Sequence, residues 1–336
     1  AYFYHFFGTH ANHEPLLGIP FPWLAHEKLQ AFFKLGIKNL AHIGGIHPPD
    51  KVPYAVNQEV FRLFQLNPSL DIEEAVLQIA TRYAGPKYAK GVVRGWKLVE
   101  QAIRSFLPLS IYTHYGVVWQ RLFVRPLVPD IDRIPESDRT YYESQMCTSM
   151  HNPNRVDLAK DVLFDLVSKD FAQKAFMRID KNVWNPLVSA ISHFKKSWKQ
   201  AEGSGDEDAA SVFEDQYFRT RALKCLYTTL RNTAVWIYAV HEHQAVNDHN
   251  VKAGCRKLLD EMIEREIQNC RDLIDLWKKA PIEWMIVSGT EETPFIHSTN
   301  FVDLLGKKIS LMKKHREDVP SIDPDYMFRL NNNPYV

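Results

Sequence analysis

Apolar residues recur at helical spacing through most of this chain, and that pattern restricts the fold more than any other feature. Between residues 251 and 279, leucine, isoleucine and methionine return every three or four positions, as on one face of a helix. Strand-like runs almost disappear after residue 50, apart from WMIVSG at 284–289. We therefore predict that residues 60–280 are predominantly helical. The predicted helices after residue 70 cover 71–85, 87–106, 158–167, 171–199, 210–247 and 251–279.

The first 67 residues have a different pattern. Residues 2–7 and 37–45 read as short strands, and each is followed by a loop and a helical segment, at 24–36 and from about 57. Strand, helix, strand and helix in this order indicate a βαβα unit with parallel strands. The predicted fold is therefore mainly α, with two domains: βα units at 1–67 and an all-helical domain at 68–336.

Two parallel strands cannot cover both of their own faces, and this suggests a larger sheet. We expect residues 1–67 to be the last two βα units of a (β/α)8 barrel, with the preceding barrel segment missing, cleaved or supplied by a second chain. Loops that follow the strands build the active site in such barrels. Here these loops are 9–23 and 46–53.

The overall composition narrows the choice of partners. The 336 residues carry 41 Lys and Arg against 40 Asp and Glu, so a net charge of +1 gives no reason to expect nucleic acid or an anionic membrane. No apolar run is long enough to span a bilayer. The 4 cysteines form no CxxC pair, and neither a metal nor another cofactor is expected. With 8 Trp, 14 Tyr and 19 Phe, the chain is rich in rings that suit carbohydrate as a partner.

Several stretches resemble a known class of enzymes. LDIEEAVLQIATRYAG and VVRGWKLVEQAI, with the corner at residues 82–85 and the central Trp96, resemble the C-terminal part of glycoside hydrolases that carry a helical domain after a barrel. WQRLFVRPLVPDI and HNPNRVDLAKDVLF are similar to uncharacterised bacterial glycosidase-like proteins. The resemblance implies hydrolysis of glycosidic bonds by carboxylates that lie mostly outside this chain. The isolated chain is then expected to be inactive. The alternative is a non-catalytic helical module that binds carbohydrate or protein.

The loop 9–23 supplies the first candidate site. His10, His13 and Glu14 offer hydrogen bonds to sugar hydroxyls, and Trp23 offers a ring for stacking. The same histidines and carboxylate suggest a zinc site, but the spacing of zinc-binding motifs is absent. A third interpretation is structural, because buried polar side chains also satisfy loop backbone groups.

A second candidate lies at 109–130, the densest cluster of potential ligand groups. Its members are Tyr112, His114, Trp119, Arg121 and Arg125. Arginine pairs well with carboxylates, but these arginines could equally pair with aspartates at a seam between domains. We expect the segments 9–23 and 112–125 to line one cleft.

A third candidate is the turn at 287–301, which carries Glu291 and Glu292 at its tip. Of the two, Glu292 is retained as a possible sugar contact. An exposed acidic turn is the alternative, since neighbouring carboxylates on a loop point apart.

Overall fold

A computed structural model describes residues 3–6, 13, 15–37, 40–43, 51–107, 121–143, 167–286 and 300–322. These residues are mainly helical, which confirms the mainly α prediction. The strands are β1 (Phe3–Phe6) and β2 (Leu40–Ile43). The helices are α1 (Pro22–Lys34), α2 (Val56–Leu66), α3 (Ile72–Ser105), α4 (Glu136–Glu143), α5 (Lys169–Asn182), α6 (Trp184–Gly203), α7 (Glu207–Ala245), α8 (His249–Lys279) and α9 (Phe301–Lys314).

The two strands pair in parallel, as the βαβ pattern predicts. Phe3 lies opposite Leu40, and the register continues to Phe6 opposite Ile43. Helix α1 connects the strands, and α2 follows β2 and packs on α1. The run predicted as a strand at 284–289 appears only as a bridge between Met285 and Leu16, and residues 287–289 lie outside the described part.

The chain forms two compact units whose limits differ from the predicted domains. Unit 1 comprises Ala1–Phe106, Arg178–Lys224 and Ala280–Ile286. Unit 2 comprises Leu107–Met177, Cys225–Lys279 and Val287–Val336. The predicted boundary between residues 67 and 68 falls inside unit 1, because α1 and α2 on one side of it pack against α3 on the other.

Helix α3 folds back on itself at Gly85, the residue predicted to end a helix. Gly85 has φ 75° and ψ 162°, outside the helical region, and Pro86 follows it. Lys97 nevertheless forms a 2.8 Å ion pair with Glu73, 24 positions earlier. Residues so far apart on a straight helix would be separated by about 36 Å. Residues 72–84 and 86–105 are therefore the two arms of a hairpin.

The second arm of α3 is held closely against α6. A Cβ atom built on Gly95 would lie 2.1 Å from the ring of Phe194, which is itself fully buried. Only glycine permits this approach. Next to it, the Trp96 indole donates a 3.0 Å hydrogen bond to Gln216. These contacts fix the arm that carries much of the candidate site.

A buried arginine connects three separate segments of unit 1. The Arg219 guanidinium donates to the carbonyl oxygens of Leu17, Lys51 and Glu283 at 2.8, 2.9 and 3.3 Å. It also makes two 2.8 Å bonds to the Asp215 carboxylate. Because the charge and the carbonyl groups satisfy each other, this part of the core tolerates an ion pair that is only 2–3% exposed.

Unit 2 has a buried ion pair of its own. Lys308 and Glu266 are 2.5 Å apart and both side chains are 0% exposed. The Lys308 ammonium also donates to the carbonyl oxygens of Leu122 and Phe123 at 3.1 and 3.0 Å. Glu266 accepts from Thr229 and Asn232, both at 2.8 Å. The pair therefore holds the buried segment 121–128 in place.

Other sequence predictions can be compared with the structure, except the helix predicted at 158–167, which lies almost wholly outside the described residues. The predicted helix 171–199 is two helices, α5 and α6, separated at Val183, because Pro186 lacks an N–H and crowds the carbonyl group four residues before it. Cys225, Cys255 and Cys270 are free and buried. Among the described residues, no helix has the length and hydropathy needed to cross a bilayer.

Candidate functional site

The site is built around Trp23, at the N-terminus of α1. Pro22 occupies the first turn, and the preceding Phe21 provides no side-chain cap. Glu100 of α3 takes this role instead, since its Oε2 accepts a 2.9 Å hydrogen bond from the backbone N–H of Trp23. A carboxylate near a helix N-terminus is also favoured by the helix dipole. The result is a Trp23 side chain with a fixed position at the surface.

The indole of Trp23 contacts both a carboxylate and an ammonium group. Its Nε1 donates a 2.9 Å hydrogen bond to the Glu73 carboxylate. The Lys97 ammonium lies 5.2 Å from the ring centroid, within the range of a cation–π contact. Because Lys97 also pairs with Glu73, the ring, the amine and the carboxylate form one connected set. Trp23 itself remains partly exposed.

Arg104 links Glu27 to Glu100. Its guanidinium forms two hydrogen bonds to the Glu27 carboxylate, at 2.9 and 2.7 Å, and its Nε donates to Glu100 at 2.8 Å. Such a fork fixes the geometry of both partners. Arg104 thereby joins α1 to the second arm of α3.

These side chains border a groove of about 420 Å³, which we call the Trp23 groove. Its lining consists of Trp23, Glu27, Glu73, Lys97, Glu100, Gln101, Arg104 and Ser105. Burial raises the pKa of the Glu100 carboxyl group, and the hydrogen bond and charge of Arg104 act in the opposite direction. Three carboxylates and two cations leave the groove with a formal charge of −1. It offers hydrogen bonds of both kinds beside an aromatic ring.

The carboxylates of the Trp23 groove are already engaged. The two oxygens of Glu100 accept from Trp23 and Arg104, and those of Glu73 accept from Trp23 and Lys97. A general acid must present a proton to the bond it cleaves. Each engaged oxygen still has acceptor capacity for a hydroxyl group of a ligand, so the arrangement suits ligand recognition better than proton transfer.

Trp23 is the predicted site residue that lies in this groove. His13 is 4% exposed, and its ring packs 5.8 Å from that of Phe21. Six further predicted residues lie outside the described part of the chain: His10, Glu14, Tyr112, His114, Trp119 and Glu292. The cleft expected between segments 9–23 and 112–125 therefore stays a prediction.

The two predicted arginines are buried in unit 2. Arg121 is 7% exposed and Arg125 is 0% exposed. Arg121 has φ 51° in the left-handed region, and burial lowers the pKa of its guanidinium group. Arg125 lies 5.2 Å from the ring centroid of Tyr142 and 5.6 Å from that of Trp236. We call Arg125, Tyr142 and Trp236 the arginine cluster. Because their side chains are inside the core, we do not include either arginine in the site.

The polar neighbours of Trp23 were not predicted from the sequence. The sequence does show a helix face that carries Lys97, Glu100, Gln101 and Arg104. Polar residues at this spacing are common on helix surfaces, so the pattern does not identify a site. Their approach to Trp23 depends on tertiary contacts across 77 positions, which periodicity does not reveal.

No group of three or more potential metal ligands occurs among the described residues. Searches for related proteins were equally negative: no family model, no curated protein and no solved structure matches this chain.

Proposed function

We propose that this chain binds carbohydrate in the Trp23 groove and is part of a carbohydrate-active protein of the glycoside hydrolase class. The observation that carries the proposal is a partly exposed indole in a groove lined by three carboxylates and two cations. Sugars present apolar C–H faces and a rim of hydroxyl groups. A ring with hydrogen-bond donors and acceptors beside it matches both features.

The position of the groove also supports the proposal. Trp23 begins the helix that follows β1, and β1 pairs in parallel with β2. In (β/α)8 barrels, the loops and helix N-termini after the strands form the ligand-binding face. We take β1, α1, β2 and α2 as two units of such a barrel, so that Trp23 would lie at its ligand-binding end.

Within this proposal the described residues contribute binding rather than bond cleavage. Retaining and inverting glycosidases place two carboxyl groups across the substrate, one of them as an acid. Glu73 and Glu100 are instead held by Lys97, Arg104 and the N-terminus of α1. We therefore assign hydrolysis to carboxylates elsewhere in the full protein. The rival function is a carbohydrate-binding module that takes no part in catalysis.

The test is calorimetric titration of the chain with monosaccharides and their short oligomers. Trp23→Ala should weaken binding of any sugar that binds by about fivefold or more, on the scale of the about 1–3 kcal/mol that one aromatic platform contributes when a nucleobase stacks on it. Trp198→Ala is the matched control. Trp198 is also partly exposed, lies in unit 1 and has a lysine 4.1 Å from its ring centroid, but it does not line the groove. The proposal would be contradicted if the two variants lost sugar affinity equally, or if none of the tested sugars bound to the chain.

The two rival functions need a separate assay. Turnover of aryl glycosides by the purified chain would contradict the assignment of hydrolysis to residues elsewhere. Sugar binding without turnover agrees with both the hydrolase portion and the non-catalytic module. Turnover by a longer protein that contains this chain would then favour the hydrolase portion.

A further inference from the structure

A second groove runs along the outer side of the α3 hairpin, and its floor is apolar. Leu77 of the first arm and Val93 and Leu98 of the second arm line this floor, and all three are partly exposed. The volume is about 570 Å³. We call it the hairpin groove. It shares Glu73, Lys97 and Gln101 with the Trp23 groove, but its apolar floor lies outside that site.

The charges along the hairpin groove are unevenly distributed. At one end, Glu73 has Lys97 as its partner at 2.8 Å, and the exposed Glu74 adds a second carboxylate. At the other end, next to the bend at Gly85, Lys90 and Arg94 are exposed and one helical turn apart. Neither forms an ion pair or a hydrogen bond with any residue in the described ranges. The bend end of the groove is therefore basic.

We propose that the hairpin groove binds an amphipathic helix of a partner protein, with apolar side chains on the floor and acidic side chains opposite Lys90 and Arg94. Two antiparallel arms with an apolar floor between them form a natural seat for a third helix. The distance from residue 90 to residue 101 along the arm is about 16 Å, or three helical turns of the partner. The unpaired cations set the direction, because the acidic end of the partner must lie at the bend.

The proposal does not depend on carbohydrate binding, and the test uses residues outside the Trp23 groove. The probe is a fluorescein-labelled synthetic 16-residue peptide, helical and amphipathic, with leucines on one face and two glutamates one turn apart at one end. Fluorescence anisotropy measures its affinity for the full chain. A second peptide with lysines in place of the glutamates reports on the charge requirement.

The acidic peptide should bind at least about tenfold more tightly than the basic peptide, a difference of about 1.4 kcal/mol. The double variant Lys90→Glu with Arg94→Glu should reverse this preference. Val93→Glu should weaken binding of the acidic peptide by about tenfold or more, because it places a charge on the apolar floor.

The control for net charge is Lys195→Glu with Lys196→Glu, two exposed lysines of α6 that do not line the groove. This control should not alter the preference for the acidic peptide. Equal affinity for both peptides, or an equal effect of the two double variants, would overturn the proposal. A concentration-dependent dimer in sedimentation that Val93→Glu abolishes would also overturn it, because the groove would then bind a second copy of this chain. Thermal unfolding of each variant verifies that it is folded.

Discussion

The Trp23 groove and the arginine cluster place the same chemistry in opposite environments. Each brings a cation to an indole: Lys97 lies 5.2 Å from the ring centroid of Trp23, and Arg125 lies 5.6 Å from that of Trp236. Each indole N–H also has an acceptor, the Glu73 carboxylate in one case and the Val128 carbonyl oxygen in the other, at 2.9 and 2.7 Å. The difference is exposure, since Trp236 is 1% exposed and Trp23 is partly open.

Residue type alone therefore does not identify a binding site. In the arginine cluster the ring and the guanidinium group contribute to the core, where well-packed aromatic and charged groups stabilise the fold. In the Trp23 groove the same kinds of groups remain accessible to a ligand. Substitutions in the sealed core of unit 2 should change stability, whereas those in the groove should change ligand affinity.

The largest effect is expected for Lys308→Ala, in the core of unit 2, the unit that also contains the arginine cluster. It would leave Glu266 as a buried charge without its cation and would free the carbonyl groups of Leu122 and Phe123. Loss of one partner of a buried pair costs about 3–5 kcal/mol. Denaturant unfolding should therefore show a free energy of unfolding lower by that amount.

The matched control for this pair replaces both partners. Lys308→Met combined with Glu266→Gln removes both charges and should recover part of the loss, because no unpaired charge remains. A loss below about 1 kcal/mol for Lys308→Ala would contradict the buried-pair account.

An intermediate effect is expected for Gly95→Ala. This variant tests whether the Trp23 groove depends on the close packing of α3 against α6. The added methyl group would meet the Phe194 ring at 2.1 Å, so the second arm of α3 must shift. Overpacking of this kind costs about 1–3 kcal/mol. Because the same arm carries Lys97, Glu100 and Arg104, sugar affinity should fall together with the free energy of unfolding.

Gly91→Ala, on the same arm, provides the comparison. Its methyl group would lie 3.3 Å from Phe213, a contact that a small adjustment relieves. Gly91→Ala should therefore lower the free energy of unfolding, measured with denaturant, clearly less than Gly95→Ala does. Equal costs for the two substitutions would show that the close approach at Gly95 does not determine the position of the arm.

A smaller effect is expected for Glu100→Ala. This change removes the carboxylate that caps α1 through the N–H of Trp23. Loss of a helix cap costs about 1 kcal/mol. Glu100→Gln keeps an oxygen acceptor and should cost less in the same denaturant experiment. If the two variants are equally stable, the cap contributes nothing and Trp23 is positioned by other contacts.

The sequence was sufficient for the helical architecture because local signals determine it. Asp71 caps α3 by accepting a 2.8 Å hydrogen bond from Glu74, and Gly85 interrupts it, both at the predicted residues. The parallel pairing of β1 and β2 also follows from the βαβ pattern. The predicted boundary at 67/68 differs from the compact units, because packing between α2 and α3 does not appear in local composition.

The site was only partly predictable for the same reason. Trp23 could be named as a platform from its residue type and its loop. Its partners Glu73 and Glu100 lie 50 and 77 positions away, and the fold-back of α3 brings them to it. Arg125 carried an equally good local signal, and only the tertiary structure shows that it is 0% exposed.

The most direct test of carbohydrate binding in the Trp23 groove is a comparison of indole N–H signals in an ¹⁵N correlation spectrum during titration with the sugar that binds in calorimetry. The chain has 8 Trp, and Trp23→Phe and Trp236→Phe assign the two signals that matter. We expect the Trp23 signal to shift with sugar concentration, whereas the signal of the buried Trp236 should not move. A shift of Trp236 with no change at Trp23 would contradict the account.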